Sequence, residues 1–237
     1  RRQVAGSLQG DRSIPDDVGA YEDEARQDGP VQLRSALITL CRPSLSVTDG
    51  SMELMRLYEE VRELIERRLA EFRSIDRRDV VRLFEELAFC VMTPQSRAKA
   101  ALRAVEELKS RGLLLGGGPE EVAEVLRRNG IRFHNQKAKY VVKNRELVRG
   151  DKPRLIELLG EDVHRVREVL VEVVWGFGLK EASHFMRNIG YSGLAVLDRH
   201  VLRWMKALGA IEEVPRTLTR RRYLELERRF IRLSEEL

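Results

Sequence analysis

Cysteine is close to absent from this 237-residue sequence, which contains only Cys41 and Cys90. Two thiols cannot complete a four-thiolate iron–sulfur or zinc site, and they make no disulfide framework. Cys90 lies in the apolar run "ELAFCVM", where a cysteine behaves as a small buried hydrophobe. No apolar segment reaches the ~18 residues needed to span a bilayer, and no signal-peptide pattern occurs. A reducing cytoplasm, with no membrane attachment, is therefore the expected setting. Aromatics make up 6% of the chain, and no stretch alternates polar and apolar residues far enough to compete as a strand. These absences exclude a β-sandwich, a disulfide scaffold and a metal-cluster protein.

Charge is what the sequence has in quantity. Charged residues are 34% of the chain and the formal net charge is +5. A modest basic excess fits a polyanionic partner, and solvated, ion-paired helices account for it equally well. The first 48 or so residues mix charge, Gly, Pro and Gln without periodicity, which reads as disorder or a non-native leader. From there helices follow one another, and the fold class is all-α. Met55, Tyr58, Val61, Ile65, Leu69 and Phe72 recur at helical spacing behind Ser51 as N-cap. A second helix covers 79–92. Thr93-Pro94 has the form of an N-cap followed by an N1 proline, which predicts a helix from there to Ser110. Further helices are expected from Pro119 to Gly130, over "NQKAKYVVKNREL", over "EDVHRVREVLVEVV" and over "LTRRRYLELERRFIRLSEEL".

Between the last two lies "WGFGLKEASHFMRNIGYSGLAVLDRHVLR". A glycine-punctuated turn joins two helices, the second with Ala182, Phe185, Met186 and Ile189 on one face and Gly190 as its stop. This is a helix-hairpin-helix or an ordinary αα-hairpin. Gly176 and Gly178 bring the backbone close to a neighbour and present amide N–H groups at a helix N-terminus, an anion site. Lys180 sits in the first turn of that helix, where the dipole disfavours a cation. A neutral lysine amine is what Schiff-base chemistry needs. Asp198 heads the next helix as an N-cap, a role compatible with stabilising a cationic sugar.

With these residues in place, the segment from Gly176 to Arg203 resembles the type 2 8-oxoguanine DNA glycosylase/AP lyases of archaea and some bacteria, members of the helix-hairpin-helix Gly/Pro-Asp superfamily. The similarity extends through "LAFCVMTPQSRAKA", "IRFHNQKAKYVV" and "IEEVPRTLTRRRYLELE", over roughly Met52 to Leu237. It implies two helical subdomains flanking a DNA-binding cleft, with no metal and no organic cofactor. The implied partner is double-stranded DNA carrying 8-oxoguanine or abasic sites, bound by a monomer. It also implies that Lys180 is the nucleophile that attacks C1′ and that Asp198 is the essential carboxylate. Gly176, Gly178 and the Lys180 amide would hold a phosphate on the lesion strand, and His200 matches a phosphate-contacting histidine of the wider superfamily. Gln95 and Ser96 fall where the superfamily inserts polar wedges on base flipping. Lys137 and Lys139 are expected to be solvated or to contact the DNA backbone. Trp175 and Trp204 are expected in the core, and His184 and Phe185 in packing.

The expected boundaries are a leader at 1–48 and a catalytic domain at 49–237, with the hairpin at 161–190 and the Asp198 loop at 191–200. Members of the resembled family run on beyond "RLSEEL" and end in a lysine whose carboxylate reads the oxidised base. A chain truncated at Leu237 is thus expected to keep abasic-site lyase activity and to lose selective excision. Two alternatives remain at this point: a superfamily glycosylase for another damaged or mispaired base, and a non-enzymatic hairpin module that only grips DNA.

Overall fold

A computed structural model describes residues 47–150 and 153–236. The expectations placed on residues 1–46, Cys41 included, and on the chain end at Leu237 lie outside them. Ten α-helices follow in order, with no strand among the described residues: α1 (Val47–Arg73), α2 (Val80–Met92), α3 (Ala98–Ser110), α4 (Pro119–Arg128), α5 (His134–Asn144), α6 (Arg154–Glu157), α7 (Val163–Val173), α8 (Leu179–Asn188), α9 (Arg199–Ala207) and α10 (Arg220–Glu236). A 3₁₀ turn, Arg145–Leu147, extends α5.

Helix α2 is the central element, because nearly all of its faces are apolar. Every residue from Leu83 to Met92 is buried, and the helix packs on α3, α5, α6 and α8. Its two inward carboxylates are satisfied: Glu85 pairs with Arg82 and Lys109, and Glu86 pairs with Arg82 and accepts from the Asn188 amide. Cys90 is fully buried, and burial pushes its thiol pKa well up, so it packs as a small hydrophobe. The larger core gathers α2, α3, α4, α5, α7 and the inner face of α8. A second, smaller core brings Leu179, Ala195, Leu197, Leu202, Met205, Tyr223 and Leu226 together between the head of α8, α9 and α10. Buried Arg145 fastens the glycine-rich 111–118 segment by donating to the carbonyls of Leu113, Leu114 and Gly117.

Three local expectations are corrected. Helix α1 already runs at Val47, which leaves Ser51 inside it. A cap preference is worth only about 1 kcal/mol, and helical continuity upstream overrides it. Helix α3 starts at Ala98, not at Thr93-Pro94. Thr93 instead closes α2, donating its hydroxyl to the Cys90 carbonyl, and Gln95, which would stand inside the first turn of a helix begun at Thr93-Pro94, takes a left-handed conformation at φ 53°. The apolar stripe of α1 is only partly covered: Phe72 is buried, whereas Met55, Tyr58 and Ile65 are exposed, and Leu57, outside that stripe, is buried instead.

Candidate active site at the hairpin turn

The hairpin forms as its residues predict. Asp162 caps α7 by accepting from the amides of His164 and Arg165. The chain then turns through residues 174–178 and enters α8, where Ala182, Phe185, Met186 and Ile189 are all buried on one face. Gly176 has φ 92°, and a β-carbon there would lie 2.8 Å from Tyr140 Cδ2. Only glycine meets both conditions without strain. The buried Asn144 side chain locks the turn, accepting from the Trp175 amide at 2.8 Å and donating to the Trp175 carbonyl at 3.0 Å. Trp175 itself is not core: it is 52% exposed, stacked with Tyr140 and covered by the Lys143 ammonium 3.7 Å from its ring centroid. Asn144 fixes its backbone, and its ring lies outward where the apolar run alone predicted burial. Trp204 is half-buried.

Gly178 is the N-cap of α8, and the Glu181 carboxylate returns to accept from its amide at 3.2 Å. The Gly178 N–H is thus already engaged by the protein. Lys180 stands in the first turn with its side chain 34% exposed, and its ammonium lies 3.1 Å from the other oxygen of Glu181. Asp198 caps α9, its Oδ1 accepting from the Val201 amide at 2.8 Å. The preceding residues, Leu179 and Leu197, are both buried in the smaller core. Packing therefore brings the bases of the Lys180 and Asp198 side chains to a common support. His200 is exposed in the first turn of α9.

The 93–97 segment borders this region through Lys137. Expected to be solvated or on the DNA backbone, Lys137 is instead buried, and its ammonium donates to the Met92 carbonyl at 2.7 Å, the Pro94 carbonyl at 2.5 Å and Ser96 Oγ at 3.1 Å. The C-terminal carbonyls of α2 have no intrahelical partner, and a cation suits that end of the dipole. Burial, and secondly the Lys180 charge, brings the Lys137 pKa down to about 7. Ser96 also accepts from the Arg132 amide at 3.0 Å, so its hydroxyl serves the loop, while Gln95 is half-buried with φ 53°.

His184 packs edge-on against Phe89 with ring centroids 5.6 Å apart, as expected of a packing residue. Burial, then Arg187 and Lys180, lowers its pKa from 6.5 to about 3. Because the folded state resists protonation that the unfolded state accepts, stability is lost as pH falls from 6.5 toward 3. Thermal melts over that range should show His184→Phe less acid-sensitive than the parent. Equal slopes would show that His184 is not held neutral.

Comparison with known proteins bears on this constellation. A sequence model of the family described as 8-oxoguanine DNA glycosylase matches residues 65–237. The chain belongs to the 8-oxoguanine DNA glycosylase family. Among its relatives, the 8-oxoguanine DNA glycosylase/AP lyase of Thermotoga petrophila is 40% identical over 184 residues, covering 77% of this chain and 86% of the relative. The Methanocaldococcus jannaschii enzyme of the same description is 37% identical over 178 residues, covering 75% and 84%. Among solved structures, the Thermotoga maritima 8-oxoguanine DNA glycosylase superposes with a TM-score of 0.72 at 37% identity, covering 81% of this chain and 89% of that one. The M. jannaschii 8-oxoguanine glycosylase/lyase in complex with a 15mer DNA containing 8-oxoguanine superposes with a TM-score of 0.67 at 34% identity, covering 77% and 88%. The all-α helix-hairpin-helix architecture inferred from the residues is thus the architecture of the 8-oxoguanine DNA glycosylases.

Three further residues contribute to the site: Glu181, Asn144 and Lys137 in its clamping role. Glu181 was legible, since a glutamate three residues after a helix cap is a capping-box signal. Asn144 and the clamping role of Lys137 carried no such signal, because their partners lie 31 and up to 45 residues away.

Proposed function

We propose that this 8-oxoguanine DNA glycosylase/AP lyase of base excision repair works through Lys180 as nucleophile and Asp198 as charge-stabilising carboxylate. The observation that carries this reading is the placement of Lys180 in the first turn of α8 and of Asp198 as the N-cap of α9, each next to a residue of one small core, Leu179 and Leu197. The neutral Lys180 amine forms a bond to C1′ of the flipped nucleotide as the C1′–N9 bond breaks. The oxidised base leaves with that electron pair and takes up a proton. Sugar-ring opening yields a protonated Schiff base, and loss of a C2′ proton then expels the 3′ phosphate by β-elimination. Asp198 supplies the negative charge that favours the cationic sugar. The exposed Gly176 turn and the positive end of α8 suit a lesion-strand phosphate, and His200 at the head of α9 suits its neighbour. Gln95 we assign to the space vacated by the flipped base, with Ser96 supporting it from within the loop. Lys137 we assign to holding that loop against the DNA. We assign the catalytic unit to residues 49–237, acting as a monomer on double-stranded DNA in the cytoplasm, with its hairpin in 161–190 and the Asp198 loop in 191–200.

Borohydride reduction during turnover tests the chemistry. With an 8-oxoguanine duplex and with a preformed abasic duplex, a covalent protein–DNA adduct is expected, and peptide mapping should locate it on Lys180. Absence of any adduct while the strand is still bound would leave only a DNA-gripping hairpin.

A further inference from the structure

A buried polar network lies behind Lys180 and Asp198, apart from the groups assigned to the chemistry, with Arg167 Nε left without a hydrogen-bond partner. Arg167 on α7, Ser183 on α8, and Tyr223 and Glu227 on α10 are all buried, at 3% exposure or less. Arg167 donates both terminal nitrogens to Glu227, at 2.5 and 2.8 Å, and one of them also to Ser183 Oγ at 3.2 Å. The outward connections all run to the loop that delivers Asp198. The Ala195 amide donates to Glu227 Oε1 at 3.0 Å, the Tyr223 hydroxyl donates to the Ala195 carbonyl at 2.6 Å, and the Leu197 amide donates to the Tyr223 oxygen at 3.4 Å.

A buried ion pair is a poor means of gaining stability, since desolvation offsets most of its attraction. What it provides is direction, because a bidentate pair with further hydrogen bonds has few alternative geometries. Residues 192–198 form no helix, yet Ala195 and Leu197 are buried, and their backbone groups need partners that no regular element supplies. Side chains from α10 fill that need. The same network grips α8 at Ser183, one turn beyond Lys180. It therefore joins the helix that carries the lysine to the loop that carries the aspartate, across α7 and α10.

We propose that Tyr223 and Glu227, with Arg167 and Ser183, are positioning residues that hold Asp198 in register with Lys180. This rests on the assignment of those two as the reacting pair. None of the four touches the substrate. Their effect is on the placement of a carboxylate, to which rates are steeply sensitive: a displacement of about 1 Å costs on the order of 100-fold.

Tyr223→Phe tests this with the least disturbance, because the ring stays buried and only the hydroxyl that bridges Ala195 and Leu197 is lost. Single-turnover 8-oxoguanine excision should slow by roughly 10- to 100-fold with KM little changed. In an Asp198→Asn background the same substitution should add almost nothing, since a misplaced group that is already inactive cannot be lost twice. Ser183→Ala, which also removes a single hydroxyl, should show the same non-additivity with a smaller effect, and it carries the test should Tyr223→Phe not fold. Normal turnover in both variants, or equal fold-losses in the parent and in the Asp198→Asn background, would mark a structural role only and overturn the proposal. Normal turnover of Asp198→Asn alone would instead overturn the assignment of Asp198 on which it rests, so the two failures are told apart by one set of rates.

Discussion

Lys180→Gln is expected to abolish strand cleavage and borohydride trapping while leaving affinity for lesion-containing duplex nearly unchanged. The amine is required for bond making, and no other group in the proposed mechanism supplies an electron pair to C1′. Affinity has other sources: the hairpin turn, the N-terminal end of α8 and the basic surface, whose contribution is electrostatic and salt-dependent. Glutamine keeps a comparable stem in the first turn of α8, and its amide can still donate to the Glu181 carboxylate that Lys180 contacts at the half-buried surface. A substitute nucleophile is not at hand. Lys137, which shares the electrostatic environment of Lys180, has a pKa of about 7 but spends its ammonium on the carbonyls of Met92 and Pro94 and on Ser96. The measurement is a gel assay of trapping and nicking, beside binding of the same duplex by fluorescence anisotropy. Persistent trapping by the variant would place the nucleophile elsewhere and detach the hairpin from the chemistry.

Asp198→Asn is expected to slow excision and abasic-site cleavage by roughly 10²–10³-fold, the scale seen when one preorganised electrostatic group is removed from an active site. Its effect on stability should be small. The carboxylate Oδ1 accepts from the Val201 amide, and an asparagine carbonyl can accept the same bond, since Asn is as good an N-cap as Asp. Asp198→Ala separates the two roles, because it loses the cap as well and should cost about 1 kcal/mol of stability in addition to the rate. Single-turnover kinetics and thermal melts of both variants provide the comparison. A large fall in melting temperature for Asp198→Asn with near-normal turnover would reduce Asp198 to a cap.

Much of this fold was legible because the signals are local. Helical periodicity, the Asp198 cap and the Gly190 stop all concern groups within about a turn of one another. The buried face of α8 and the burial of Cys90 follow from the same kind of pattern. The hairpin and its lysine were legible for that reason too, as was the family resemblance that the comparisons bear out. Local rules also misled. Thr93-Pro94 has every mark of a helix start, yet Lys137 draws in the carbonyls on either side of Thr93 and the helix waits until Ala98. Apolar surroundings predicted a buried Trp175, but its ring lies exposed against Tyr140 and Lys143 while Asn144 fixes its backbone.

The order of the amino acids alone dictates the all-α class, the hairpin with Lys180 at its second helix, and Asp198 as the cap of the next, because backbone capping and amphipathic periodicity act between residues at most a few positions apart. Packing in three dimensions makes Lys137 an internal clamp, turns Trp175 outward, and brings Arg167 to Glu227 60 residues later to anchor the Asp198 loop. A buried charge or hydroxyl takes whichever partner the fold brings within about 3 Å, since leaving it unpaired costs far more than any local preference repays. That partner has no fixed spacing along the chain, and for this reason periodicity could not reveal it.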